Sequence, residues 1–331
     1  MSARTLSHTR AGSPGRHWMR FAIRNAVLIA LAYAAFLLFP YNLGFLTRIV
    51  IMMIFVLSLD LVLGYAGIAT LGHAALYGTG AYAAGLFAVH VSGAPVAGLL
   101  IGAVGGALTA FISGLLLMRA RGLTLLMLSI AFAQICFEIA NKARPVTGGA
   151  DGLSGIRMEP VLGLFEFDFV GQTGFWYAVA VLLILLAALR ILVASPFGLS
   201  SRGIHESVPR MRAIGTPVYW RLVTIYTISG AIAGVAGALS AQVTELVSLE
   251  VYGFSLSAEA VIMLILGGAG RLYGALVGTV MFMTVHHVAA SVDPFNWLFI
   301  IGGMVILVVF FVPSGLLGVP GNLARFVRRP K

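Results

Sequence analysis

The sequence predicts an all-α fold: a polytopic bundle of about ten transmembrane helices with both termini in the cytoplasm. The 331-residue chain has a mean hydropathy of +1.01 and only 10% charged residues, too few to cover the surface of a soluble protein. Apolar runs of about 18 residues recur with almost no charge, as expected of helices that cross a bilayer. The lysines and arginines lie between these runs in a pattern that orients the bundle.

Ten apolar runs are predicted to span the membrane. Their approximate bounds are 24–40, 45–64, 73–91, 96–118, 123–140, 174–194, 222–241, 256–270, 274–291 and 295–312. Together they form a single transmembrane domain (24–315) between basic tails at 1–23 and 316–331. Glycine-rich segments interrupt the pattern at 63–82 and 266–274, where the chain is expected to leave helical geometry or to pack closely.

The positive charges set the predicted orientation. With the N-terminus inside, 17 of the 21 lysines and arginines fall on the cytoplasmic side, and moving one span would destroy this asymmetry. The four on the outer side are Arg48, Lys142, Arg144 and Arg157. The segment 141–173 is then the one substantial outer loop, and 195–221, which we name the charged loop, is cytoplasmic.

Several classes of function are disfavoured. The net charge of +10 is spread over helix ends and tails, without the basic face that binds nucleic acid. The two lysines follow Asn141 and Pro330, so neither belongs to a phosphate-binding P-loop. His286 and His287 are adjacent on a predicted helix and point about 100° apart, which argues against a shared metal. The single cysteine, Cys136, is interpreted as a small buried residue, and no nucleophile–base pair indicates an intramembrane enzyme.

The charged loop predicts a short helix from Val208 to Ile214. Ser207 is a suitable N-cap, Pro209 is tolerated in the first turn, and Gly215 is placed to end the helix.

The residues of this predicted helix divide into two faces. Val208, Met211 and either Ile214 or Gly215 share an apolar face, while Arg210 and Arg212 project elsewhere. Such a helix either rests on anionic lipid headgroups or docks a cytoplasmic partner.

Four sequence blocks resemble the branched-chain amino-acid ABC importer permeases, and more narrowly the LivM-type subunit of the LivHM family. They are GIHESVPRMRAIGTPVYWRLVTIYTISGAIAGVAGAL (203–239), LDLVLGYAGIATLGHAALYGTGAY (59–82), RGLTLLMLSIAFAQICFEIANKARPVTGGADGLSGI (121–156) and GGAGRLYGALVGTV (267–280). The resemblance extends in order over about 45–315.

The resemblance implies a multi-pass permease subunit in the bacterial inner membrane. Such a subunit receives branched-chain or related amino acids from a periplasmic substrate-binding protein. It pairs with a paralogous LivH-type permease and with two cytoplasmic LivG/LivF-type ATPases. ATP and magnesium would bind those ATPases, so that no cofactor, metal or catalytic residue is expected on this chain. The expected surroundings are the lipid bilayer, with no nucleic acid.

The resemblance also assigns candidate residues in the charged loop. Glu206 and Gly215 match the acidic residue and the turn glycine of the family's ATPase-coupling loop. The full candidate set is Glu206, Val208, Arg210, Met211, Arg212, Ile214 and Gly215. The chain departs from the family pattern by placing Arg-Met-Arg where many permeases have a Glu-Ala-Ala type core.

Two further groups of residues are candidates with open alternatives. Gly64, Gly67, Gly72 and His73 either line a translocation pathway or serve helix packing, with His73 as a buried hydrogen-bonded side chain. The outer residues Thr147, Gly148, Gly149, Asp151 and Gly152 either contact the binding protein or form a turn-rich loop. Two acidic residues, Asp60 and Glu138, lie near the ends of their predicted spans, where a carboxylate is functional or caps glycine-rich backbone.

Two alternative functions stay open: an importer of the same architecture with another substrate, and an ion-coupled secondary transporter. The same architecture could import urea, short amides or aromatic acids. An ion-coupled secondary transporter would need ionisable residues at mid-membrane and an inverted repeat. The pentapeptides LGYAG (63–67) and LGGAG (266–270) do recur, but they follow spans that run in the same direction, so we interpret the recurrence as chance.

Overall fold

The part of the chain that the structure describes is mostly helical. This computed structural model describes residues 14–161, 163, 165–166, 168, 171–292, 299, 301–303 and 306, with side chains from Asn25 onward. The β structure of that part is limited to isolated bridges, which confirms the all-α prediction there. The α-helices are α1 (Pro14–Leu38), α2 (Leu43–Asp60), α3 (Ala74–His90), α4 (Pro95–Leu117), α5 (Leu123–Lys142), α6 (Arg144–Thr147), α7 (Gln172–Ala194), α8 (Pro196–Glu206), α9 (Val208–Ala213), α10 (Val218–Thr244), α11 (Phe254–Gly267) and α12 (Leu272–Val292).

Helices overlap the first nine of the ten predicted spans, and six helical segments of the described part qualify as membrane spans by length and composition. These segments are Leu43–Tyr65, Pro95–Leu117, Leu123–Lys142, Gln172–Ala194, Val218–Thr244 and Leu272–Val292. Asn25–Leu38 and Phe254–Gly267 are shorter apolar helices. The chain is therefore a multi-pass membrane protein. Most of the predicted tenth span (295–312) and all of the tail 316–331 lie outside the described residues, so the total of ten and the cytoplasmic termini stay predictions.

The first helix begins earlier than the sequence indicated. Residues up to Leu43 form a compact unit of their own, and α1 already starts at Pro14, inside the segment predicted as a tail. No proline or glycine occurs between Arg16 and Leu38, and proline is tolerated in a first turn. Pro40 follows the end of the helix, where proline disfavours helical geometry in the preceding residue.

Small residues let α10 pack tightly against α3 and α4 in the core. A Cβ at Gly80 would overlap the backbone of Gly234, and one at Gly106 would overlap the carbonyl oxygen of Gly230. Such contacts bring helix backbones close enough for extensive van der Waals packing, which drives helix association in lipid. At 27 residues, α10 is longer than its predicted span, since it begins directly after Pro217 and ends where Glu245 adopts a positive φ of 53°.

Both glycine-rich segments interrupt helices, as predicted. One π-helical turn (Leu61–Tyr65) follows α2, and the chain then runs without regular structure to the start of α3. The second interruption separates α11 from α12, where Gly268 and Gly270 adopt positive φ angles that suit glycine. We name LGYAG (63–67) the first glycine break and LGGAG (266–270) the second glycine break.

Candidate functional site: the charged loop and the glycine breaks

The charged loop contains two helices, where the sequence predicted one. The additional helix, α8, begins at the N-cap Ser195, whose Oγ accepts a hydrogen bond from the backbone N–H of Gly198 at 3.3 Å. Pro196 occupies the first turn, where its missing N–H costs nothing. Ser201 and Ile204 are buried on the inner face of α8. The motif Ser-Pro at 195–196 is the signal in the sequence for this start.

The helix predicted from Val208 to Ile214 is confirmed as α9, the second helix of the charged loop, although its N-cap differs in detail. Ser207 occupies the N-cap position, but its side chain makes no capping hydrogen bond. Gly215 ends the helix with a φ of 81°, as predicted. Arg210 and Arg212 are exposed.

The apolar face of α9 packs partly against α8. Met211 is half-buried, and its sulfur would lie 2.6 Å from a Cβ built on Gly203. Val208 is also half-buried, whereas Ile214 is 74% exposed and does not join this contact. Glu206, at the end of α8, is exposed.

The charged loop contacts the first glycine break through the same helix, α8. The Nδ1 atom of His205 lies 3.2 Å from the carbonyl oxygen of Gly64. Its ring covers Gly67, where a Cβ would lie 2.7 Å from the ring carbon Cδ2. One turn earlier, the guanidinium of Arg202 stacks over the ring of Tyr65 at 4.7 Å, a cation–π contact. A movement of α8 would therefore act directly on the first glycine break.

The two glycine breaks contact each other. The backbone N–H of Gly270 donates a 2.6 Å hydrogen bond to Oδ1 of Asp60, and a Cβ on Gly64 would overlap both that carboxylate oxygen and the backbone of Gly270. The recurrence of the pentapeptide thus has a structural counterpart, because Gly64, the first glycine of one copy, packs against Gly270, the last glycine of the other. Asp60 is fully buried and caps glycine-rich backbone, one of its two predicted roles.

The other candidate pathway residues are buried within this chain. Nε2 of His73 lies 2.9 Å from Oγ of Ser58, which places His73 as a buried hydrogen-bonded side chain. A Cβ on Gly72 would overlap the carbonyl oxygen of Ser129. Gly64, Gly67 and Gly72 therefore make close packing contacts, and their role in a translocation pathway stays a prediction. Glu138 is exposed on α5.

The candidate outer contact residues form an ordered loop. Oγ1 of Thr147 donates to the carbonyl oxygen of Ala140 at 2.5 Å, and Gly148, Gly149 and Gly152 all adopt positive φ angles. Leu153 and Val247 exchange backbone hydrogen bonds of 2.8 and 3.0 Å in an isolated bridge. Asp151 is exposed at the tip of this loop.

Comparisons with known proteins match this architecture. The sequence fits the family model described as branched-chain amino acid transport system / permease component over residues 41–309. The chain belongs to this family. It is thus a permease component of a branched-chain amino acid ABC transport system, and no solved structure matches it.

Curated relatives agree with the family assignment. The permease is 28% identical over 299 residues to the high-affinity branched-chain amino acid transport system permease protein LivM of Escherichia coli (strain K12), covering 82% of this chain and 68% of that protein. It is 29% identical to LivM of Salmonella typhimurium, again covering 82% of this chain and 68% of that protein. A probable LivM of Methanocaldococcus jannaschii is 24% identical over 66% of this chain and 65% of its own.

Sequence reasoning missed the residues of the permease that connect the charged loop to the glycine breaks. It selected Glu206 and α9, whereas the contact with the first glycine break comes from Arg202 and His205 of α8. One available signal was that His205 is the only histidine in the charged loop. The hydrogen bond between Asp60 and Gly270 joins residues 210 positions apart, and no local pattern indicates such a pair.

Proposed function

We propose that this permease is one of two membrane subunits of an ATP-driven importer, and that its charged loop receives the movement of a cytoplasmic ATPase. The observation that carries the proposal is the continuous set of contacts from the charged loop through His205 to Gly64, and from Asp60 to Gly270. A docked partner that moved α8 would thereby displace both glycine breaks. The substrates proposed are branched-chain amino acids, as the names of the relatives state for those proteins.

A basic cavity supports an acidic docking partner at the charged loop. A cavity of about 450 Å³ lies between the charged loop, the first glycine break and the turn from α4 to α5. Arg119, Arg121 and Arg212 line it together with Val208 and His205. The grouping of arginines from two separate loops on one side favours the cytoplasmic location of both.

The proposed assembly follows from the family. The second membrane subunit would be a LivH-type paralogue, and two LivG/LivF-type ATPases would hold ATP and magnesium. A periplasmic binding protein would deliver the amino acid at the opposite surface, where the outer loop 141–173 lies. The termini would be cytoplasmic, and the membrane would be the bacterial inner membrane.

We expect charge reversal in α9 to weaken ATPase docking. In Arg210→Glu and Arg212→Glu, exposed cations that face an acidic partner would become repulsive, so the amount of ATPase that co-purifies with the permease in detergent should fall about tenfold. The matched control is Arg157→Glu, an exposed arginine in the predicted outer loop. Unchanged co-purification of both variants would mean that these arginines contact lipid and that α9 does not dock the ATPase. An importer that transports leucine without ATP would refute the proposed function itself.

We expect charge reversal at Asp151 to weaken the contact with the binding protein. The outer loop is held by Thr147 and by the bridge between Leu153 and Val247, so a change at its exposed tip leaves the fold intact. For Asp151→Lys, the concentration of liganded binding protein that half-maximally stimulates ATP hydrolysis should rise about fivefold, as for a charge at an interface rim. Glu166→Lys, at another exposed acid of the same outer loop, is the control. If this half-maximal concentration were the same for Asp151→Lys and wild type, the loop tip would not contact the binding protein.

A further inference from the structure

A second, larger cavity lies at the end of α2 opposite the glycine breaks. Its volume is about 870 Å³, within the range of small-molecule sites. The first half of α2, the last turn of α10 and the beginning of α11 border it, and the 3-10 turn Leu249–Tyr252 closes one side. Arg48 on α2 and Gly64 in the π-helical turn that continues it are 16 residues apart in sequence, which corresponds to roughly 24 Å along a helix.

The cavity contains charges of both signs. Arg48 of α2 lines it together with Glu259 of α11 and Glu250 of the 3-10 turn. Arg48 and Glu259 attract each other across the cavity, yet no residue that the structure describes forms a salt bridge with either of them. The guanidinium of Arg48 and the carboxylates of Glu250 and Glu259 can therefore form charge-assisted hydrogen bonds with a ligand.

Apolar side chains provide the remaining surface of the same cavity. Ile51 and Met52 come from α2, Phe137 from α5 and Leu256 from α11. Ile51 and Met52 share α2 with Arg48, and Leu256 shares α11 with Glu259. A ligand that pairs with both charges therefore brings its side chain close to these apolar groups. Methionine and branched side chains accommodate aliphatic groups of differing shape.

We propose that this cavity is a binding site for a zwitterionic amino acid with an aliphatic side chain. The α-carboxylate binds the Arg48 guanidinium, the α-ammonium binds Glu259 with Glu250 beside it, and the aliphatic group packs on Ile51, Met52, Phe137 and Leu256. This inference rests on the proposed function and adds the place and chemistry of substrate binding.

The same chemistry distinguishes the substrate classes. A neutral ligand such as urea can hydrogen-bond to both groups but carries no charge to pair with either, and neutral hydrogen bonds are roughly half as strong as charge-assisted ones. An aromatic acid without an ammonium group pairs with Arg48 but covers the half-buried Glu259 without pairing it, and a polar group that a ligand desolvates without pairing lowers affinity strongly. The pair of opposite charges thus selects a zwitterion over both alternatives.

The test uses the complete importer, reconstituted in proteoliposomes with its second permease, both ATPases and saturating binding protein. Arg48→Gln and Glu259→Gln each remove one charge-assisted contact, so ATP-driven uptake of radiolabelled leucine should fall about tenfold. Binding-protein stimulation of ATP hydrolysis should persist, since neither change is at the outer loop. Glu245→Gln changes an exposed charge outside both the cavity and the outer loop and should import leucine at the wild-type rate.

A second measurement detects ligand binding in the cavity independently of transport. In the importer carrying Cys136→Ala and Leu256→Cys, millimolar leucine should slow maleimide labelling of the new cysteine. Urea and 4-methylpentanoate, which lacks the ammonium group, should not slow it. This assay needs neither ATP nor binding protein, so protection by leucine would support the site even if ATP-driven import failed.

The site would be overturned by unchanged leucine uptake in both Arg48→Gln and Glu259→Gln together with unprotected labelling at Leu256→Cys. Equal protection by leucine and by 4-methylpentanoate would also overturn it, because the ammonium pairing would then contribute nothing. Failure of the wild-type importer to take up leucine with ATP would instead refute the proposed function.

Discussion

Replacing Gly64 with alanine is expected to destabilise the folded permease strongly. The new methyl group would overlap both Oδ1 of Asp60 and the backbone of Gly270. Relief would require the two glycine breaks to separate, which would cost about 3 kcal/mol from overpacking and from the lost hydrogen bond of Gly270. Thermal unfolding in detergent, followed by size-exclusion fluorescence, should show a strongly lowered midpoint for Gly64→Ala.

Gly174→Ala is the matched control for this prediction. Gly174 lies in α7, and a Cβ there would meet Val243 at 3.6 Å, an ordinary van der Waals contact. Its midpoint should remain at the wild-type value. If Gly64→Ala unfolded at the same temperature as Gly174→Ala, the conclusion that the two glycine breaks pack closely at Gly64 would be wrong.

Removing the imidazole of His205 is expected to uncouple ATP hydrolysis from transport. His205 is the side chain of α8 that both approaches the carbonyl oxygen of Gly64 and covers Gly67. In His205→Ala, the exposed arginines of α9 and the arginines of the basic cavity, Arg119, Arg121 and Arg212, all remain, so the ATPases should still co-purify and hydrolyse ATP. Leucine imported per ATP hydrolysed should fall about tenfold, which corresponds to the loss of one hydrogen bond and its packing.

The control for uncoupling is His90→Ala. His90 ends α3, and its Nδ1 contacts only the carbonyl oxygen of Leu86 in its own helix, so transport per ATP should be unchanged. Wild-type stoichiometry in His205→Ala would show that movement reaches the glycine breaks by another route. Loss of ATPase binding in His205→Ala would assign the residue to docking, which also contradicts its proposed role.

These contacts give the charged loop two separate tasks. Arg210 and Arg212 of α9 are exposed and available to a partner, whereas α8 carries the side chains that touch the first glycine break. Since Asp60 connects that break to the second one, a displacement of α8 has a continuous physical path to the start of α12. Docking and transmission can therefore be tested with different variants.

Several features of the fold were predictable because they depend on neighbouring residues. Hydropathy located the helices, since crossing a bilayer requires long apolar stretches. Pro209 and Gly215 located α9, since proline and glycine restrict or permit particular backbone angles. The early start of α1 at Pro14 escaped prediction because a basic segment before an apolar run was interpreted as a tail.

The amino-acid sequence by itself determined that this protein is a helical, multi-pass membrane protein whose helices break at two glycine-rich segments. Its motifs also indicated the permease family. Only the tertiary structure decided that the two breaks touch, that His205 reaches Gly64 across 141 residues, and that Arg48 and Glu259 face one cavity. Hydropathy and capping report the local environment of a residue, whereas these pairs arise from how helices pack, and packing depends on shape complementarity along whole helices.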